Sequence, residues 1–167
     1  MSTFSTEISG LARQVVAHCI TRQWHLATAE SCTGGLIAGA LTDISGSSAV
    51  VDRGFVTYSN QAKIDMLAVK VETLDAQGAV SEDTARQMAA GALAHSRADF
   101  AVAVTGIAGP GGGSTDKPVG LVHIAVAARS GTVAHARMLY GDLGRDAVRL
   151  ATVSTALSML LDAFQTA

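Results

Sequence analysis

Residues 100–105, FAVAVT, form a nearly continuous apolar run. A strand with no polar side has nothing to offer water, so it belongs in the middle of a sheet that is covered on both faces. The pattern around it is one of strands alternating with helices. Helices are predicted over about 5–22, 33–41, 60–67, 81–95 and 145–164, the first from Ile8, Leu11, Val15, Val16, Cys19 and Ile20 at helical spacing. Ser81 is the expected N-cap of the fourth, with Glu82 and Asp83 in its first turn. Strands are predicted over about 24–29, 53–59, 100–105, 120–128 and 132–140, with DISGSS (43–48) read as a loop. The last two strands join through ARSGT, a link short enough for an antiparallel hairpin only. The expected fold is therefore α/β: a three-layer α/β/α sandwich on a mixed, mainly parallel sheet of about five strands.

The 167 residues suit one domain, 1–167, with no internal repeat or linker. Apolar residues make up 49% and charged residues 16%, enough to bury a core and too apolar for a disordered chain. Aromatics are 4%, and the abundant Ala and Gly suit close packing of helices on a sheet. Twelve Lys and Arg against fourteen Asp and Glu give a net charge of −2. With no basic cluster, the chain gives no electrostatic reason to expect nucleic acid. No apolar run approaches the roughly 18 residues of a membrane span, so no membrane partner is expected. The first residues lack a basic leader followed by an apolar block, so no signal peptide is expected. Cys19 and Cys32 form no metal or redox motif, which fits a reduced, cytoplasmic setting.

Three stretches could carry chemistry. The first, TAESCTGG (28–35), is a strand-to-helix junction. Free backbone N–H groups at such a helix start favour anions, and Gly34 and Gly35 let a ligand approach the backbone. Ser31 stands at its mouth and could attack a carbonyl, with the nearby N–H groups holding the oxyanion. The plainer alternative is that Ser31 or Thr33 caps the helix. Cys32 is a rival nucleophile, although neighbouring side chains point in different directions.

A serine needs a base. None of His18, His25, His95, His123 and His135 sits well for Ser31. His123 and His135 face each other across the expected hairpin, but as a metal pair they lack further ligands, so packing or surface roles are preferred and no metal is expected. The alternative base is a lysine of lowered pKa, and YSNQAK (58–63) offers Lys63 in the helix that follows Tyr58. Residues at the carboxyl ends of parallel strands converge on one edge, which would bring Tyr58 and Lys63 towards Ser31. A solvated surface lysine is the alternative. The third stretch, VTGIAGPGGGSTDKPVG (104–120), starts at a strand end with Thr105 and Gly106. It matches neither the P-loop nor the dinucleotide fingerprint, but a loop of that length in a small domain is usually functional. In GDLGRDAVR, Arg145 or Arg149 could grip a phosphate or could be a surface helix charge.

Taken together, TAESCTGG, FVTYSNQAK, VAVTGIAGPGGGSTDKPVG and the shorter GAVSEDTA resemble the CinA C-terminal domain family over about residues 8–164. The enzymatic members of that family are nicotinamide-nucleotide amidases, which turn nicotinamide mononucleotide (NMN) and water into nicotinic acid mononucleotide and ammonia. The resemblance implies Ser31 as nucleophile, Lys63 as its base and Tyr58 as a hydrogen-bonding helper. It implies substrate contacts from Cys32, Thr33, Gly34, Gly35, Asn60, Thr105, Gly106 and Arg145, with no cofactor. It also implies a homo-oligomer. Arg145 is the loosest of these matches, because GDLGRDAVR is spaced slightly differently from the family's segment. Many family members carry a further N-terminal domain resembling molybdopterin-binding proteins, which is not expected here, so its pyrophosphatase activity is not carried over. The open alternatives are a catalytically silent nucleotide-binding module and an amidase with another substrate.

Overall fold

The computed structural model describes residues 3–167. The chain runs α1 (Thr6–Arg22), β1 (Leu26–Glu30), α2 (Leu36–Thr42), a single 3-10 turn (Ser47–Ala49), β2 (Val51–Val56), α3 (Asn60–Leu67), α4 (Val71–Gln77), α5 (Glu82–Ala94), β3 (Phe100–Gly106), β4 (Leu121–Ala128), β5 (Val133–Leu139) and α6 (Arg145–Gln165). The strands form one sheet in the order β2-β1-β3-β4-β5. β1 pairs parallel with β2 and with β3, while β3–β4 and β4–β5 are antiparallel. Only β4 runs against the others, so the expected mixed, mainly parallel sheet of five strands is what forms.

The two faces of the central strands differ in size, and this decides which helix lies where. Phe100, Val102 and Val104 point to one side, with Leu26, Val122, Ile124 and Val126, and meet α1, α2 and α6. Ala101 and Ala103 point to the other, with Ala27, Ala29, Ala125 and Ala127, and meet α5. Alternation along a strand separates the two sets, and the alanine face lets α5 come close. On its other side α5 presses on α3. A Cβ built on Gly91 would lie 2.0 Å from the Leu67 carbonyl oxygen, so the two backbones touch where only glycine fits. That contact fixes the helix that carries Lys63.

The capping expected at α5 is present: Ser81 Oγ accepts the Thr84 N–H at 3.2 Å. Element ends shift by one to three residues. β1 starts at Leu26 rather than Trp24, and β2 spans Val51–Val56 rather than 53–59, because Thr57–Ser59 turn into the α3 cap. The loop at 43–48 runs into the 3-10 turn. α4, a seven-residue helix, lies in a stretch with no clear sequence signal. α6 corrects one expectation, since it is long and apolar enough to cross a membrane by length and composition. Its stripe of Val148, Val153, Ala156, Leu157, Leu160 and Phe164 is instead buried in the core.

His123 and His135 do meet across the hairpin, on the α5 face. Their rings stack with His123 Nδ1 and His135 Nε2 3.0 Å apart, and His135 Nδ1 stands 3.6 Å from Glu82. Among the described residues no group of three His, Cys, Asp or Glu side chains is arranged to hold a metal ion. Burial first, then the charge of His135, lowers the His123 pKa from 6.5 to about 4. A depressed histidine is neutral in the fold while the unfolded chain already binds the proton. Stability present above pH 6.5 is therefore lost as pH falls towards 4. Thermal melts should show Tm falling across that window and a smaller fall in His123→Phe. An unchanged profile in the variant would remove His123 as the cause.

Candidate active site

β1 is the point where the chain changes direction across the sheet: β2 lies on one side of it and β3 on the other. A crevice opens at the carboxyl ends of parallel strands at such a point. Ser31 follows β1 directly. Its N–H bonds to Val104 of β3, and the carbonyl of Glu30 before it accepts the Thr57 N–H beyond β2. Tyr58 follows two residues after β2, and Thr105 and Gly106 end β3. These ends surround a cleft of about 220 Å³ lined by Ser31, Cys32, Tyr58, Lys63, Ala79, Val80, Thr105, Gly106, Ala108 and Arg145. In a roomier groove of about 450 Å³, beside α1 and the end of α6, the one hydroxyl, Thr21 Oγ1, donates to the Ala17 carbonyl rather than to a base, so chemistry rather than volume selects the smaller cleft.

Ser59 caps α3 by accepting the Ala62 N–H at 3.0 Å, and this sets the helix rotation. Lys63 and Leu67, one turn apart, then share the buried face. Lys63 is only 1% exposed. Its Nζ donates to the Thr57 carbonyl at 2.8 Å and to Ser31 Oγ at 3.1 Å. Among the described residues no carboxylate lies within ion-pair distance of it. Burial lowers its pKa below the usual 10.5. A neutral amine there would have a lone pair free to take the serine proton, while the Thr57 carbonyl fixes the nitrogen's position.

Cys32 also lines the cleft, but its thiol is unsuited to attack. Burial pushes it up to about 11, against the opposing pull of its own backbone N–H. It is a protonated thiol at neutral pH, and the thiolate is the reactive form. Ser31 is the cleft residue whose hydroxyl lies beside a buried amine.

Tyr58 and Arg145 form the rim. Tyr58 is 62% exposed and its hydroxyl accepts from Arg145 Nη2 at 3.0 Å. Arg145 Nη1 donates to the Gly109 carbonyl at 2.9 Å, which ties α6 to the glycine-rich loop. Among the described residues no carboxylate pairs with Arg145, so its charge is available to an anion. Across the cleft, Thr105 Oγ1 donates to the Ala79 carbonyl at 2.7 Å and holds the wall that Ala79 and Val80 form.

The start of α2 is not the open anion site expected from the sequence. Glu30 is fully buried, and its carboxylate already occupies that position. It accepts from Thr33 Oγ1 at 2.6 Å and from the N–H groups of Gly35, Ile37 and Ala38 at 3.1, 3.0 and 2.9 Å. The Gly34 N–H goes to the Ser31 carbonyl. Gly34 and Gly35 have φ of 60° and 101°, so both serve the left-handed turn into the helix rather than ligand approach. Thr33 is buried against Glu30, and Asn60 is exposed at the start of α3, outside the cleft lining. Arg149 turns inward, donating from Nε to the Cys32 carbonyl and from Nη2 to the Thr33 carbonyl, each at 3.1 Å. Sequence reasoning missed Glu30. The signal was there: an acid ending the otherwise uncharged LATAE strand, followed by a helix with no capping side chain.

What the fold and the cleft define is an α/β domain with a buried serine–lysine pair at a strand-end crevice and, at its rim, an arginine that no carboxylate among the described residues pairs. The comparisons with known proteins then place it. The CinA C-terminal domain model matches residues 8–164, and the chain belongs to that family. It is 49% identical over 160 residues to the nicotinamide-nucleotide amidohydrolase PncC of Escherichia coli (strain K12), covering 95% of this chain and 96% of that one. A CinA-like protein of Akkermansia muciniphila is 49% identical over 93% of this chain, which spans 37% of that longer protein. Among solved structures, the competence/damage inducible protein CihA of Agrobacterium tumefaciens is 64% identical, with a TM-score of 0.97 and 99% of each chain covered.

Proposed function

We propose that this chain is a nicotinamide-nucleotide amidohydrolase in which Ser31 and Lys63 act as nucleophile and base. The observation that carries the reading is the 3.1 Å contact between Lys63 Nζ and Ser31 Oγ, with the amine buried and, among the described residues, paired with no carboxylate. Ser31 Oγ attacks the carboxamide carbon of NMN and gives its proton to Lys63 Nζ. The tetrahedral intermediate collapses as Lys63 returns that proton to the leaving nitrogen, and ammonia departs. Water, deprotonated in turn by Lys63, attacks the acyl-enzyme, and nicotinic acid mononucleotide leaves with Ser31 restored. The backbone at Cys32 and at Thr105–Gly106 lines the same cleft and is assigned to the oxyanion and the nucleotide. No step calls for a metal or cofactor.

The phosphate is assigned to Arg145. Glu30 fills the start of α2, so an anionic ligand has Arg145 as the cleft's unpaired cation. Tyr58 holds the guanidinium in place and serves as the helper at the cleft mouth. Ammonia release from NMN and from nicotinamide riboside, with wild type and Arg145→Ala, tests the assignment. Arg145→Ala should raise KM for NMN by roughly 10- to 100-fold, as expected for one charge-assisted bidentate contact, and change the riboside reaction little. An equal loss on both substrates would mean that Arg145 acts on the chemistry rather than on the phosphate.

A further inference from the structure

We infer that Glu30 and Arg149 are positioning residues that grip the Ser31–Gly34 turn from its two sides and hold Ser31 Oγ on Lys63; this rests on Ser31 being the nucleophile. Between them they take up opposite halves of the backbone. Glu30 collects donors: the hydroxyl of Thr33 and three N–H groups at the start of α2. Arg149 collects acceptors: the carbonyls of Cys32 and Thr33, the two residues after the nucleophile. The turn needs such a grip. Gly34 and Gly35 give it a left-handed backbone that carries little stiffness of its own. α2 has no side-chain cap at Gly35, so Glu30, five residues back, substitutes for one.

The two clamps are anchored in different parts of the fold. Glu30 ends β1, the strand between β2 and β3. Arg149 lies one helical turn beyond Arg145, on the helix whose first residue reaches the cleft rim. The first two turns of α6 therefore serve the cleft together, with Arg145 at the rim and Arg149 beneath the Ser31–Gly34 turn. Neither Glu30 nor Arg149 lines the cleft, so neither is placed to touch substrate. Both act through the position of Ser31. A displacement of about 1 Å at a reacting atom can cost around 100-fold in rate.

The test uses Arg149→Met and the pair Thr33→Val and Thr33→Ser. Thr33→Val removes the 2.6 Å bond to Glu30 at constant size, and Thr33→Ser keeps it. This spares the fully buried Glu30, whose own replacement risks the fold. Two rates are measured: ammonia release from NMN, and sulfonylation of Ser31 by phenylmethanesulfonyl fluoride. In the second, the Ser31 Oγ–S bond forms, the S–F bond breaks, Lys63 takes the serine proton and fluoride leaves. Arg149→Met and Thr33→Val should lower kcat about 10- to 100-fold with KM within about threefold, and slow sulfonylation to a similar degree. Thr33→Ser should recover both rates. Wild-type kcat and sulfonylation in Thr33→Val and Arg149→Met would overturn the inference, as would a raised KM at unchanged kcat. Sulfonylation slowed by the variants in a protein that does not hydrolyse NMN would keep the clamp and remove the substrate assignment. Absence of both NMN turnover and sulfonylation in the wild type would overturn both.

Discussion

Lys63→Met is expected to lower the rate of ammonia release by roughly 100- to 10,000-fold, the range for loss of a general base, while NMN binding stays within a few-fold. Methionine matches lysine in length and is content in an apolar site, so the variant removes the base without opening a cavity. The pH dependence of the wild type supplies the second half of the prediction. Burial lowers the Lys63 pKa from 10.5, and the mechanism needs the neutral amine. kcat/KM should therefore rise with pH along an acid limb set by that lowered pKa. A profile flat from mildly acid to alkaline pH would deny Lys63 the role of base.

Linkage gives the same residue a signature in stability. The folded pKa lies below the unfolded one, so between the two values the unfolded chain holds the extra proton. In that window wild-type stability rises with pH, and the burial penalty fades as pH approaches 10.5. In Lys63→Met that slope is absent. The variant also loses the bond to the Thr57 carbonyl, which shifts its stability by an amount independent of pH. The informative quantity is therefore the wild-type-minus-variant difference in stability, which should move in favour of the wild type as pH is raised. A difference that stays constant across neutral and alkaline pH would show that Lys63 does not titrate abnormally.

Ser31→Ala is expected to have the largest effect, a fall of at least about 10,000-fold, because the covalent route disappears with the nucleophile. The base alone has no serine to activate, and the cleft retains only its binding contribution. NMN affinity should be nearly unchanged, since the phosphate is assigned to Arg145 and, among the described residues, the removed hydroxyl bonds to Lys63 alone. Cys32→Ala is the control. Its thiol, pushed up to about 11, is inert at neutral pH, so ammonia release should remain within a few-fold of wild type. Loss of turnover in Cys32→Ala with retention in Ser31→Ala would reverse the assignment.

The gathering of Ser31, Tyr58 and Thr105 at one cleft was legible in the sequence because it depends on strand ends. FAVAVT marks the middle of the sheet, and topology then brings the ends of β1, β2 and β3 to one edge. Ser31, Tyr58 and Thr105 follow from that placement. Lys63 follows from its place in the helix after Tyr58, with a solvated surface position left open until the structure buried it. What could not be read depends on where long side chains turn. Glu30 and Arg149 are charged residues in a strand and a helix, and both fold back onto the backbone of the same turn. The glycines of TAESCTGG suggested an open phosphate cradle, whereas Glu30 had already filled it. α4 escaped notice because seven residues give too little periodicity to set a helix apart from a loop.

The central claim is that Ser31, activated by Lys63, hydrolyses the amide of NMN. The most direct measurement is steady-state ammonia release from saturating NMN by the purified wild-type chain and by Ser31→Ala, side by side. The expected result is steady turnover by the wild type with one nicotinic acid mononucleotide formed per ammonia, and none above background for Ser31→Ala. Undiminished turnover by Ser31→Ala, or NMN bound by the wild type without ammonia release, would contradict it.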